Sequence, residues 1–118
     1  MIRLDEDLII LNENGEKIPV YIEGDAPAEL PDEYFTVSED STSNAVSADN
    51  KAKAHLYEFT LKWYTVDANR LYSGLIEAIE QLKSKGYDAE GIGSKNATYQ
   101  NTWVSRMVDI EKIDYLEE

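Results

Sequence analysis

The chain has 118 residues, no cysteine and one histidine, and its 24 acidic against 11 basic side chains give a formal net charge of −13. This length is typical of a single domain covering residues 1–118, and the lack of cysteine excludes disulfides, thiolate metal sites and cysteine nucleophiles. So acidic a surface repels phosphate, which argues against nucleic acid and anionic membranes as partners, and no run approaches the ~20 apolar residues that cross a bilayer.

The N-terminal third predicts short elements. Residues 4–12 fit either a short helix, which their leucine spacing favours, or the first strand of a hairpin that turns at Asn14-Gly15. The acidic start of the chain does not have the basic and then apolar pattern of a secretory signal, so we expect a cytoplasmic product. Residues 17–22 predict a strand whose proline places it at a sheet edge or strand start, and residues 33–38 predict another.

A long polar segment follows at residues 39–53, where Val46 is the single large apolar residue. Such a composition predicts a flexible loop. Loops of this length are uncommon inside a compact domain and are usually either functional or disordered. We therefore expect this loop to be an arm that contacts a partner.

Residues 55–65 have the alternating pattern of a half-buried strand. Polar side chains separate large apolar ones, which occupy the odd positions Tyr57, Phe59, Leu61 and Trp63. This pattern predicts a central strand of an antiparallel or mixed sheet, with His55 at the end of the same face.

Residues 67–85 predict one long helix. An apolar stripe recurs every three or four residues through Leu71, Leu75, Ile79 and Leu82, and is widened by Tyr72 and Ile76. Asp67 or Thr65 can cap its start, and Gly86 is placed to end it. Such a helix would be about 27 Å long, enough to cross the back of a small sheet.

The C-terminal third predicts a short strand at residues 87–92, a second loop at residues 93–102 and a last strand at residues 103–111. Imperfect alternation in the last strand indicates a bulge or packing on both faces. The predicted fold is therefore α+β, with a mixed or antiparallel sheet of about four to five strands backed by the helix over residues 67–85 and by a short N-terminal helix.

The residue patterns of known catalytic and cofactor sites are not found. The six glycines form no phosphate-binding loop, and His55 has no carboxylate or second histidine at metal-ligand spacing. The many carboxylates have no apolar setting that would raise one pKa for acid–base work. We therefore expect no catalytic residues, no cofactor and no metal, and a protein that is not an enzyme.

Aromatic side chains and charge point instead to protein partners. Tyr99 and Trp103, beside the second loop, are candidate interface residues, because tyrosine and tryptophan often anchor interfaces. Thirteen acids but only two bases lie in the first 50 residues. This half of the chain is either a solubilising coat or an electrostatic face that meets a basic partner or delays self-association.

The order of these segments resembles the small tail-completion or tail-terminator proteins of long-tailed bacteriophages and prophages. The resemblance covers residues 17–115 and rests on short motifs: Ile18-Pro19-Val20-Tyr21, Leu30-Pro31-Asp32-Glu33-Tyr34-Phe35, Ala48-Asp49-Asn50-Lys51, Leu61-Lys62-Trp63-Tyr64-Thr65 and Thr102-Trp103-Val104-Ser105-Arg106. None of these motifs is catalytic.

The resemblance implies a structural protein that assembles into a hexameric ring, caps the tail tube and joins it to the head connector. Its partners would be copies of itself, the tail tube protein and the connector protein, in the host cytoplasm during assembly and then in the virion. The loop with Ala48, Asp49, Asn50 and Lys51 would face the tube or the neighbouring subunit. The acidic coat departs from the pattern of that family, and our hypothesis is that it keeps free subunits monomeric until they dock on the tail.

Two alternatives stay open. One is a neighbouring head-completion or neck connector protein. The other is an acidic inhibitor, either a DNA mimic or an immunity protein, that occupies the basic site of an enzyme; the crowding of acids in the first 50 residues favours it.

Overall fold

The structure is a computed structural model that describes residues 2–48, 51–100 and 102–115, with backbone only at 44–48, 51–53 and 97. Two helices, a 3₁₀ turn and six strands follow one another along the chain. In order they are α1 (Leu4–Asp7), β1 (Val20–Ile22), β2 (Glu33–Ala48), β3 (Lys51–Thr65), the 3₁₀ turn (Ala68–Arg70), α2 (Leu71–Ser84), β4 (Asp88–Ala89), β5 (Ser94–Tyr99) and β6 (Trp103–Tyr115).

The strands form one mixed sheet in the order β1-β2-β3-β6-β4, with β5 also paired to β6. Among the described strands, only the β1–β2 pair is parallel. β3 is central, as its alternating pattern predicted. β1 is an edge strand that begins directly after Pro19, so it is shorter than the predicted strand over 17–22, while the predicted edge position is confirmed. The α+β class is confirmed, although the sheet has six strands rather than the expected four to five.

One face of the sheet carries the hydrophobic core. Phe59, Leu61 and Trp63 of β3 are buried on this face, as predicted, and Tyr57 packs against the same core from a half-buried position. The buried residues of α2 are Gly74, Leu75, Ala78, Ile79 and Leu82. Tyr72 was predicted to widen this stripe but is 51% exposed, with the guanidinium of Arg106 over its ring.

Gly74 lets α2 lie directly on the sheet. The indole of Trp63 crosses the helix there, and a Cβ at Gly74 would meet its Cε2 at 2.3 Å. The indole nitrogen also donates a hydrogen bond to the carbonyl of Arg70 at 3.1 Å. A small residue at this one point therefore decides how closely helix and sheet pack.

The helix is shorter than expected. α2 has 14 residues, about 21 Å, and follows a 3₁₀ turn instead of extending over 67–85. The side chain of Asp67 accepts a hydrogen bond from the amide of Asn69, as a cap should, but the Arg70 amide bonds back to the carbonyl of Asp67 and closes a tighter turn. Gly86 ends the helix at a positive φ of 90°, as predicted.

Strands replace both predicted loops. Residues 39–48 and 51–53 extend β2 and β3 into a long antiparallel hairpin, and β5 occupies most of residues 93–102. Residues 39–43 are exposed on both faces, so no buried side imposes alternation there and their polar composition is indistinguishable from that of a loop. We call residues 38–48 and 51–58 the hairpin arm. It contributes to an elongated molecule with extents of 52 × 25 × 25 Å.

At the N-terminus both readings of residues 4–12 are partly right. Leu4–Asp7 is a helix, and Leu11 then forms a β-bridge with Lys17 across the turn at Asn14-Gly15. Leu4 and Leu8 are buried in the core. No helix within the described ranges is long and apolar enough to span a membrane.

Candidate functional site

The sheet face opposite α2 carries a cluster of aromatic side chains near the open end of the β2–β3 hairpin. Tyr34 and Tyr64 are cross-strand neighbours with stacked rings, 4.6 Å between centroids and 8° between planes. The ring of Trp103 meets that of Tyr34 edge-on at 6.2 Å, and Tyr99 meets Tyr64 edge-on at 6.0 Å. We call this cluster the aromatic patch: Tyr21, Tyr34, Tyr64, Tyr99 and Trp103.

The connection between β1 and β2, residues 23–32, passes over the aromatic patch and is called the strap. Trp103 fixes its end, because the indole nitrogen donates to the carbonyl of Pro31 at 3.0 Å. Between strap and patch lies an open groove of about 460 Å³. Its lining includes Pro27 and Leu30 from the strap and Tyr34, Tyr64 and Tyr99 from the sheet.

The rings of the aromatic patch differ in how far they are exposed to solvent. Tyr34 is buried, and this burial raises the pKa of its hydroxyl well above the usual value for tyrosine. Tyr64 and Trp103 are half-buried, and Tyr99 is 43% exposed. The exposed rings are thus held at set angles on a rigid sheet, an arrangement suited to contact with another molecule at small entropic cost.

Acidic side chains cluster further along the sheet. Six carboxylates line a second groove of about 300 Å³: Asp40, Glu58, Asp88, Glu90, Asp109 and Glu111. Asp40 accepts hydrogen bonds from the hydroxyls of Ser38 at 3.0 Å and Thr60 at 2.5 Å. Within the ranges that the structure covers, no basic side chain forms an ion pair with any of the six. We call this the carboxylate groove.

The hairpin arm has an open backbone edge. β1 pairs with β2 only from Phe35 to Val37, and the last bond on that side runs from the amide of Glu23 to the carbonyl of Val37. From Ser38 onward, no described strand lies beside this edge of β2. Unpaired amides and carbonyls in such a row are a template for another strand.

A cavity of about 510 Å³ lies where the sheet meets the N-terminal turn. Glu33 accepts hydrogen bonds there from Arg70 Nε at 2.6 Å and from the Thr65 hydroxyl at 2.8 Å. The bond to Glu33 raises the pKa of the Arg70 guanidinium. Because this network ties β2 to β3 and to the turn before α2, we assign it a structural role.

The predicted interface residues fall at two distant places. Tyr99 and Trp103 lie together in the aromatic patch, whereas Ala48 and Lys51 pair at the tip of the hairpin arm. Asp49 and Asn50 lie outside the described residues. At 3.3 Å per residue, the tip is roughly 40 Å along β3 from the patch, so these residues form two surfaces rather than one.

Tyr21, Tyr34 and Tyr64 were not among the predicted interface residues. The available signal was that Tyr34 and Tyr64 each adjoin a core residue, Phe35 and Trp63, so that both faces of these strands are aromatic at this end. His55 lies 6.4 Å from the Tyr57 ring, on the predicted face. Among the described residues, no three histidine or carboxylate side chains are placed to hold a metal ion.

No family model, curated protein or solved structure matches this chain. The resemblance to tail-terminator proteins therefore still rests on the sequence motifs quoted for it. The open arm edge, the carboxylate groove and the aromatic patch provide the structural basis for a functional proposal.

Proposed function

We propose that the protein is a structural virion-assembly protein of the tail-terminator class, which assembles into a ring that caps a phage tail tube and forms its joint to the head connector. The open edge of β2 from Ser38 onward carries this proposal. A strand edge left free over most of a 16-residue strand supports association through backbone hydrogen bonds.

A ring also needs a second, different edge on each subunit. β5 lies at the opposite side of the sheet and pairs only with β6 among the described strands. One subunit's β2 edge and the next subunit's β5 side would make a head-to-tail contact. Such contacts close into a ring when the rotation between subunits allows it.

Negative charge on the arm edge would oppose association between free subunits. The arm edge carries Glu39 and Asp40, and the carboxylate groove lies nearby on the sheet. Acidic side chains on an exposed edge discourage pairing between like copies. Free subunits would then stay apart at low salt and assemble when salt or a docking partner screens the repulsion.

Electron microscopy combined with sedimentation tests the proposal. The full chain should form rings at high concentration and salt and sediment as a monomer at low salt. A shortened variant, with residues 44–55 removed and Ser43 joined to Leu56 through Asn-Gly, should keep its fold by circular dichroism but form no rings. Glu80→Gln, on the exposed side of α2, is the control and should form rings normally.

Ring formation by the shortened variant would refute the role of the arm. Stable hexamers at low salt would refute the charge restraint. Rescue of phage extracts separates the terminator from a neck protein, because a missing terminator gives tails of uncontrolled length and a missing head-completion protein gives heads that leak DNA. Rescue of the heads rather than the tails would favour the neck role.

The carboxylate groove favours one second candidate, an acidic inhibitor that occupies the basic site of an enzyme. Six carboxylates without a basic ion-pair partner in the described chain could mimic a phosphate backbone. Salt-sensitive retention on an immobilised basic nuclease, lost when Asp109 and Glu111 are both changed to the amides, would support this candidate over the structural one.

A further inference from the structure

The groove between strap and aromatic patch has the features of a site for an extended polypeptide. Its floor is aromatic, with the rings of Tyr64 and Tyr99 at 69° to each other, and its far wall is the Ala26-Pro27-Ala28 segment of the strap. Two rings set at such an angle form a wedge-shaped slot. Proline-containing segments dock in aromatic-lined grooves of this kind, because their extended left-handed helix is already formed before binding.

The negative charge of the strap favours a positively charged partner in this groove. The strap contains Glu23, Asp25, Glu29 and Asp32 and has no basic residue. Glu23 lines the groove, whereas Asp25 and Glu29 are exposed and alternate along the strap with residues that line it. Lys62 pairs with Glu23 at 3.1 Å, but Asp25 and Glu29 form no ion pair with any described residue. A partner with arginine or lysine beside its prolines would supply the missing positive charge.

We propose that this groove binds an extended, basic, proline-containing segment of another protein. The prolines pack against Tyr64 and Tyr99, and the basic side chains reach the carboxylates of Asp25 and Glu29. The inference does not depend on ring assembly, because every residue involved belongs to one folded subunit.

A second copy of the chain fits the groove less well. Of its three prolines, Pro27 and Pro31 stand among acidic residues and would bring like charge to the strap. Pro19, which stands near Lys17, is held against β2 because its carbonyl accepts a hydrogen bond from the Phe35 amide. With a net charge of −13 on each copy, long-range repulsion opposes the same contact. The basic partner segment therefore remains the better match.

Binding can be measured with two short synthetic peptides of the same length, one alternating proline with arginine and the other alternating proline with glutamate. Fluorescence anisotropy of the labelled peptides against the full chain gives the affinities. The arginine peptide should bind, and the glutamate peptide should bind at least about tenfold more weakly. Affinity for the arginine peptide should fall as salt is raised.

Variants locate the site. Tyr99→Ala should weaken the arginine peptide about tenfold or more, since exposed aromatic anchors carry much of the binding energy at interfaces. Glu29→Gln should weaken it less and reduce the salt dependence. Tyr115→Ala removes an equally large ring, 71% exposed on the last strand, and should leave the affinity unchanged.

Three results would overturn the inference: no binding of the arginine peptide below about 1 mM, equal affinity for both peptides, or equal losses in Tyr99→Ala and Tyr115→Ala. A fourth is a Tyr99→Ala variant that leaves peptide binding unchanged but lowers the sedimentation coefficient of the protein. That outcome would show that a second copy occupies the groove.

Discussion

β2 and β3 run through both ends of the molecule, yet the two ends differ in what covers them. At one end, which we call the body, Trp63 is buried between the sheet and α2, and Tyr34 is buried on the opposite face of the sheet. In the hairpin arm of the same two strands, Ser41, Thr42 and Glu58 are exposed. Pairing between the strands is continuous along both regions, apart from bulges in the arm.

Because of this difference, the body accounts for most of the stability of the fold, and the arm is the part that is accessible to a partner. Burial of apolar surface stabilises the body, whereas the described side chains of the arm are exposed or half-buried apart from Ala54, so hydrogen bonds, whose net contribution is small, account for more of its stability. An element that must meet a partner can therefore extend from a stable sheet without being needed for its folding. Substitutions in the two regions should differ accordingly, and the following experiments test how far that difference extends.

The largest expected effect is in the body. Trp63→Ala should lower the free energy of unfolding by about 3–5 kcal/mol, because it removes a fully buried indole and leaves a cavity under α2. Tyr57→Ala lies on the same strand and face but within the arm, where the ring is only half-buried, and should cost clearly less. Urea denaturation of both variants measures the difference, and equal losses would contradict the division into body and arm.

Alkaline pH should also act on the body. Burial is the main cause of the raised pKa values of Tyr34 and Tyr87, and the bond from the Tyr87 hydroxyl to Asp7 adds to the second. Their neutral forms favour the folded state, so this stability is complete below the ordinary tyrosine pKa of about 10 and declines above it.

Each of these two tyrosines should then reduce the free energy of unfolding by up to about 1.4 kcal/mol per pH unit. Absorbance at 295 nm should show two of the eight tyrosines ionising only with unfolding. In a Tyr34→Phe, Tyr87→Phe double variant, the loss of stability above pH ~10 should be shallower. An unchanged slope would mean that other groups dominate.

Gly74→Ala tests the contact between helix and sheet. Alanine favours a helix by about 1 kcal/mol over glycine, but its Cβ would overlap the Trp63 ring, so we expect a net loss of about 1–2 kcal/mol. Thermal unfolding measures it. A stabilised variant would show that the indole moves aside at little cost.

The Glu33 network should contribute less than the core. Glu33→Gln weakens charged hydrogen bonds from Arg70 and Thr65 in a mostly buried setting and should cost about 1–2 kcal/mol. Glu23→Gln, which removes the more exposed pair with Lys62, is the control and should cost no more than about 0.5 kcal/mol. Equal losses in the two variants would show that the Glu33–Arg70 pair contributes no more to stability than an exposed surface pair.

The smallest effect is expected in the arm. Thr42→Ala removes one exposed hydroxyl, bonded to Glu39 at 3.1 Å, and should change the free energy of unfolding by less than about 0.5 kcal/mol. Hydrogen exchange at the amides of residues 41–43 should be faster than at those of residues 61–63, in keeping with opening from the arm. Slower exchange in the arm would contradict its independence from the body.

Sequence patterns predicted the parts of the fold where one face is buried. The alternation of Phe59, Leu61 and Trp63 identified the central strand, and the spacing of Leu75, Ile79 and Leu82 identified the helix. The same reasoning failed for residues 39–53. Glu39 to Ser43 are exposed on both faces, and pairing defines the strands over residues 39–48 and 51–53. In the candidate site sequence reasoning found Tyr99 and Trp103 but not Tyr34 and Tyr64, since partners on adjacent strands depend on register.

The sequence by itself determined the class of fold, the central strand and its buried face, the end of the helix at Gly86 and the strongly acidic character of the chain, because each depends on local spacing or composition. Tertiary structure alone decided the length of the hairpin arm, the open edge of β2 and the gathering of five aromatic rings beneath the strap. These features arise from pairing between distant residues, which no local pattern specifies.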